Sequence, residues 1–241
     1  MVNCEFNVPV VGSILAYNYT SNFSYFGLYY IVPEHRGNNY GAYLTGAAMI
    51  HWQNRNLACD SVYGQVIKYQ RLGFESIYEN KRFVFTPHVD TTQSSTNVIS
   101  ADSIDTDRIA EYDSKHFYCK RINEIEFIIN DTECKSFAYI DKESETISGF
   151  ITISPSKEAY RIGPLYADDS SIAIELIKKA TENYTGRLIN IDIPMINIHK
   201  DNIINYFSMI ETTMKFIRMH KGALKVNNIN SVYGHLSIEL G

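Results

Sequence analysis

Twice along its 241 residues this chain runs through the same order of hydrophobic patterns: two strands, a helix, a strand, a helix and a closing strand. A strand–helix–strand succession demands at least one parallel crossover, so the order calls for a mixed sheet flanked by helices. In the first pass, residues 10–17 (VVGSILAY) and 26–32 (FGLYYIV) are β-branched and aromatic runs. The second run is apolar throughout, as suits a strand covered on both faces. Tyr40, Leu44, Ala47, Ala48 and His51 then recur at helical spacing, to about residue 54. Residues 57–62 read as a short strand, 65–71 as a helix stopped by Gly73, and 76–85 as a strand.

The stretch from Thr86 to Asp105 differs in character. Its TTQSSTN core is rich in turn formers, which predicts an exposed linker over 87–105 between units at 1–86 and 106–241. Beyond it, Ile109, Tyr112, His116 and Phe117 keep helical spacing over 107–123. Residues 136–140 and 147–154 form a hairpin pattern around a charged turn. Strands at 160–166 and 188–193 alternate with helices at 170–183 and 201–209, and strands at 215–219 and 232–238 follow. Two copies of one α/β (α+β) fold explain the shared order.

Several classes of function are excluded. The net charge is −5 and the basic residues are scattered, so no phosphate-neutralising stripe for nucleic acid exists. Cysteines at 4, 59, 119 and 134 form no CxxC pair, and the histidines no HExxH, so no metal site is expected. The apolar run at 8–15 is too short to span a bilayer and lacks a basic leader, which points to a cytoplasmic protein.

The segment that carries chemistry joins the 26–32 strand to the following helix: Pro33, Glu34, His35, Arg36, Gly37, Asn38, Asn39, Tyr40, Gly41, Ala42. Backbone N–H groups at a helix start lack intrahelical partners, and the macrodipole adds positive charge there. A diphosphate can be held by them if the loop lets it approach. Gly37 and Gly41 clear the approach, Arg36 adds fixed charge, and Asn38 and Asn39 tolerate the backbone angles of such a turn. No Gly-Lys-Ser/Thr follows, so this is not a nucleoside-triphosphate loop, and it is not GxGxxG. A glycine turn between strand and helix also occurs without any ligand.

The segment IVPEHRGNNYGAYL resembles the acetyl-CoA motif of the GNAT acyl-CoA N-acyltransferases, Gln/Arg-x-x-Gly-x-Gly/Ala. Arg36 matches its first position and Gly41 its last, while Asn39 stands where glycine is usual. Downstream, Tyr69-Gln70-Arg71-Leu72-Gly73-Phe74 is similar to the family's Tyr-x-x-Leu-Gly-Phe. The resemblance by motif covers residues 10–85. TISGFITI, YRIGPLYADD and FIRMHKG look like the C-terminal domain of a tandem-GNAT subgroup. There the matching loop, Ala167-Asp168-Asp169-Ser170, has two carboxylates and no arginine or glycine, so that copy is expected not to hold CoA in the usual way.

What the resemblance implies is two GNAT-like domains and transfer of an acetyl group from acetyl-CoA to an amine. The cofactor contacts would be Ile31, Val32, Arg36, Gly37, Asn38, Asn39, Tyr40, Gly41 and Ala42. Tyr69 would be the general acid that protonates the departing thiolate; it equally suits a core aromatic packed on Leu72 and Phe74. Glu34, His35 and Asp60 are equal candidates for the base, and none is singled out. In the family a strand and two helices precede the hairpin, yet here the central strand begins at residue 26, so the first copy is expected to be N-terminally short. The competing expectation is a non-catalytic GNAT-like scaffold.

Overall fold

In the computed structural model, which describes residues 9–88, 95–225 and 228–241, the β-rich runs become strands of one sheet. The first unit supplies β1 (Gly12–Asn18), β2 (Phe23–Ile31), α1 (Tyr40–Trp52), β3 (Asn56–Val62), α2 (Val66–Arg71) and β4 (Glu75–Phe85). The second opens with β5 (Val98–Ser100), α3 (Thr106–Ser114), α4 (Ile122–Asn130) and β6 (Lys135–Ile140). It continues through β7 (Ile147–Pro155), β8 (Tyr160–Ala167), α5 (Ser170–Thr181), β9 (Ile189–Pro194), α6 (Lys200–Tyr206), β10 (Ile210–Lys221) and β11 (Val232–Gly234). The sheet order is β1-β2-β3-β10-β4-β9-β8-β7-β6-β5, with β11 added on β8.

This order reads alike outward from the seam between β10 and β4. β1–β2 and β7–β8 are antiparallel, β2–β3 and β8–β9 parallel, β3–β10 and β9–β4 antiparallel. Each half gives its last long strand to the other: β4 pairs with β9 and β10, and β10 pairs with β3 and β4. One continuous sheet therefore joins the two expected units, which do not stand as separate sheets.

Matching ion pairs clamp the exchanged strands. Asp60 on β3 meets Arg218 on β10, with Nε–Oδ1 2.7 Å and Nη2–Oδ2 2.9 Å. Asp192 on β9 meets Arg82 on β4 with the same two distances, and Arg161 on β8 adds a third donor at 2.9 Å. Both carboxylates are fully buried, where a charge is tolerated only when paired.

Local expectations change in five places. The run at 26–32, expected to be covered on both faces, alternates instead, with Leu28 and Tyr30 exposed where β2 leaves β3. Residues 98–100, expected in a linker, form an edge strand on β6, because Val98 and Ala101 bury apolar side chains; residues 89–94 lie outside the described residues. The helix expected over 107–123 breaks in two. Phe117 is drawn out of the helical path onto Tyr19 and Phe23, with ring centroids 5.1 and 5.8 Å away, and Arg121 onto Asp113. The strand expected over 232–238 stops at Gly234, and the chain then turns, with the Gly241 N–H on Ser237 O at 2.9 Å. On α1 the buried residues are Ala48 and Trp52, which pack with Phe26, Leu57 and Phe74, while Tyr40 is exposed.

Candidate active site

β2 and β3 pair only over Phe23–Tyr25 and Asn56–Ala58. Past that point Leu28 adopts φ 49, and two steps along β1 face three along β2, which is a bulge. The bulge turns β2 away while β3 stays bonded to β10 as far as Val62. The strands splay, and a cleft of about 1170 Å³ opens between them. Its walls come from the end of β2, the following loop, the first turns of α1, the end of β3, α2, and Ile238 and Glu239 far along the chain.

The loop leaves several backbone N–H groups unpaired beside this cleft. A 3-10 turn at Pro33–His35 bonds internally, His35 N–H to Val32 O at 2.9 Å and Arg36 N–H to Pro33 O at 3.1 Å. Gly37 then takes φ +84 and Asn39 φ 61, both left-handed. Among the described residues, the backbone N–H groups of Gly37, Asn38, Asn39, Tyr40 and Gly41 have no acceptor. The next two, from Ala42 and Tyr43, close onto Asn39 O at 2.9 and 3.1 Å. No side chain caps α1. A row of free amides at the positive end of a thirteen-residue helix favours an anion. At Gly41 a Cβ would meet Tyr29 Oη, so a larger residue there displaces the Tyr29 side chain.

Of the expected cofactor contacts, Ile31, Arg36, Gly37, Asn39, Tyr40, Gly41 and Ala42 line the cleft, and Tyr69 joins them. Val32 and Asn38 do not. The backbone of Val32 is already engaged, its N–H on Val11 O at 2.9 Å and its C=O on His35, and the Asn38 amide side chain reaches back to His35 O at 3.4 Å. Arg36 braces the turn, with Nε on Ile31 O at 2.9 Å and its guanidinium 5.6 Å from the Tyr30 ring.

Tyr69 packs its ring on Phe26 and Phe74, with centroids 5.3 and 6.0 Å away, so Phe26 takes the place expected of Leu72. Its hydroxyl has no hydrogen-bond partner among the described residues. Burial raises its pKa, so it stays protonated near neutrality. Of the base candidates, Asp60 is bound to Arg218, to Tyr25 Oη at 2.7 Å and to Asn80 at 3.4 Å. Glu34 stands outside the cleft, and His35 lies on its loop side. The carboxylate of Glu239, which nothing in the sequence pattern had marked, accepts from the Leu28 N–H at the bulge.

The equivalent place in the second half is closed. β8 and β9 pair over Tyr160–Ile162 and Ile189–Ile191, and beyond them β11 fills the gap against Leu165 and Tyr166. A Cβ on Gly163 would strike His235 O, so the incoming backbone is in contact there. The Asp169 carboxylate caps α5, taking the Ser171 and Ile172 N–H groups at 2.7 and 3.0 Å.

The profile of the acetyltransferase (GNAT) domain matches residues 109–234, a little over half of the chain. The chain belongs to the GNAT family. Holothin acyltransferase of a Pseudoalteromonas strain is 27% identical to this GNAT chain over 98% of it and 79% of the relative. A putative acetyltransferase from Pyrococcus horikoshii superposes with a TM-score of 0.80 at 20% identity, covering 96% of this chain and 76% of that one. A tandem GNAT protein from the clavulanic acid biosynthesis pathway gives 0.52 at 10% identity, covering 84% and 75%. These two likenesses concern the GNAT fold alone. No helix among the described residues is long and apolar enough to cross a membrane.

Proposed function

We propose that this chain is an N-acyltransferase that takes an acetyl group from acetyl-CoA and gives it to an amine, using the cleft of the first half. The observation that carries the reading is the set of unpartnered amides of Gly37, Asn39, Tyr40 and Gly41 at the cleft wall, which suits the CoA diphosphate. The splayed edge of β2 up to Ile31 offers backbone groups to the pantetheine arm. Tyr69, protonated and open to the cleft, is the donor for the thiolate that leaves. Similarity to an acyltransferase along nearly the whole chain supports this chemistry, and holothin, named in that relative, is the first acceptor to assay.

The second half is on this reading a degenerate GNAT copy in a tandem arrangement. Its capped α5 and the strand lodged in its cleft support a supporting role rather than a second catalytic one. The mirrored element order on either side of the seam supports the same division at 1–86 and 106–241. Asn39 in place of glycine favours the scaffold alternative, whereas Arg36, Gly41 and Tyr69, all of which line the cleft, favour the enzyme.

Acetyl-CoA is expected to raise the thermal midpoint of the purified chain. Gly41→Val, which pushes a side chain onto Tyr29, should abolish that rise, and Arg36→Ala should reduce it several-fold. An unchanged midpoint at millimolar acetyl-CoA would contradict the proposal.

A further inference from the structure

The cleft wall carries two carboxylates, Asp60 and Glu239, and the reaction as described above uses neither. Glu239 lies 211 positions along the chain from Leu28, yet its Oε2 accepts from the Leu28 N–H in the mouth of the splay. Its backbone packs against Gly27 closely enough that a Cβ there would overlap it. The segment is anchored. β11 fixes it on β8, Ser237 Oγ accepts from the Glu239 and Leu240 N–H groups at 3.1 and 2.9 Å, and Tyr19 Oη donates to Leu240 O at 2.8 Å. Arg121 Nη1 holds Gly241 O at 3.2 Å. Glu239 thus stands on a fixed turn and not on a loose end.

Among the described residues no cation forms a salt bridge with Glu239, although Arg161 feels its charge, whereas Asp60, the other carboxylate on the cleft wall, is held directly by Arg218. One oxygen is oriented by the Leu28 amide and the other is free. Tyr69 lines the same cleft, where burial chiefly keeps the phenol protonated and the charge of Glu239 adds to the effect.

We propose that Glu239 is the general base that deprotonates the acceptor amine, an assignment that rests on the acyl-CoA reading of this cleft. The carboxylate takes one proton from the arriving ammonium and passes it to solvent. The nitrogen lone pair forms the C–N bond at the thioester carbonyl, and the C–S bond breaks. The thiolate takes the Tyr69 proton, and the second proton lost by nitrogen restores Tyr69. The acceptor class follows: a primary amine that arrives charged, for which the carboxylate is also an electrostatic lure.

Glu239→Gln tests this, since glutamine keeps the acceptor for the Leu28 N–H and loses only the charge and basicity. Thiol release from acetyl-CoA would be followed from pH 6 to 9 with a primary alkylamine, an arylamine and water as acceptors. Glu239→Gln is expected to lower turnover roughly 100- to 10 000-fold with the alkylamine and to leave the arylamine rate much less affected. Glu239→Asp should recover part of the rate, and the acetyl-CoA thermal shift should persist in both variants. Equal rates for the native chain and Glu239→Gln with every acceptor, water included, would overturn the assignment. So would faster turnover and tighter acetyl-CoA binding in the variant, which would make the carboxylate an obstruction. Loss of the thermal shift in the native chain itself would instead remove the acyl-CoA reading.

Discussion

Asn39 occupies φ 61, a backbone state that asparagine reaches at small cost and that the family pattern assigns to glycine. The departure at this position therefore leaves the turn intact, and the amides on both sides stay free. Tyr69 is decided by its surroundings in the same way. Its ring belongs to the core around Phe26 and Phe74, while its hydroxyl belongs to the cleft. Tyr69→Phe should keep the ring packing and cut kcat by about 100-fold with KM nearly unchanged, as read from steady-state kinetics on the first acceptor that turns over. An unchanged kcat would make this residue purely structural. Gly37, Asn39, Gly41 and Tyr69 were legible in the sequence because turn chemistry and helix spacing are local. Glu239 was not: its position depends on where β11 and the turn after it are pinned, and no local pattern encodes that.

Among the elements, the exchange of β4 and β10 dominates. Strand and helix positions followed from periodicity, since the alternation of β-branched runs and helical spacing is a property of short windows. Strand neighbours did not, because pairing between β3 and β10 joins residues more than 150 positions apart. The corresponding aspartates, Asp60 and Asp192, and arginines, Arg218 and Arg82, are the sequence trace of the repeat. They stand at matching places in β3 and β9, and in β10 and β4. Asp60→Asn leaves the Arg218 guanidinium buried and unpaired, and should cost about 3–5 kcal/mol of unfolding free energy in urea. A loss below about 1 kcal/mol would mean that this clamp does not hold the seam.

At the level of the whole molecule, stability should depend on pH through buried histidines. Burial and neighbouring Lys115 push His116 down to about 4, and burial with Arg218 beside it pushes His220 to about 3. An unfolded histidine titrates near 6.5, so below that pH the unfolded chain binds protons that the folded chain refuses. Their contribution is fully present above pH 6.5 and is lost as pH falls from there toward 4 for His116 and toward 3 for His220. At pH 5 the loss is about 2 kcal/mol for each. His116→Phe, which fits between Tyr112 and Tyr166, should flatten the fall in thermal midpoint between pH 7 and 5. An unaltered slope would place the proton uptake elsewhere.

The account as a whole depends on one half of a pseudo-symmetric pair having open amides while the other half has its own engaged. Amide resonances followed by NMR during an acetyl-CoA titration compare the two loops in a single sample. The N–H signals of Gly37 to Gly41 should move in a saturable manner, and those of Ser171 and Ile172 should stay in place. Movement confined to the second loop, or none at residues 37–41 at saturating acetyl-CoA, would contradict it.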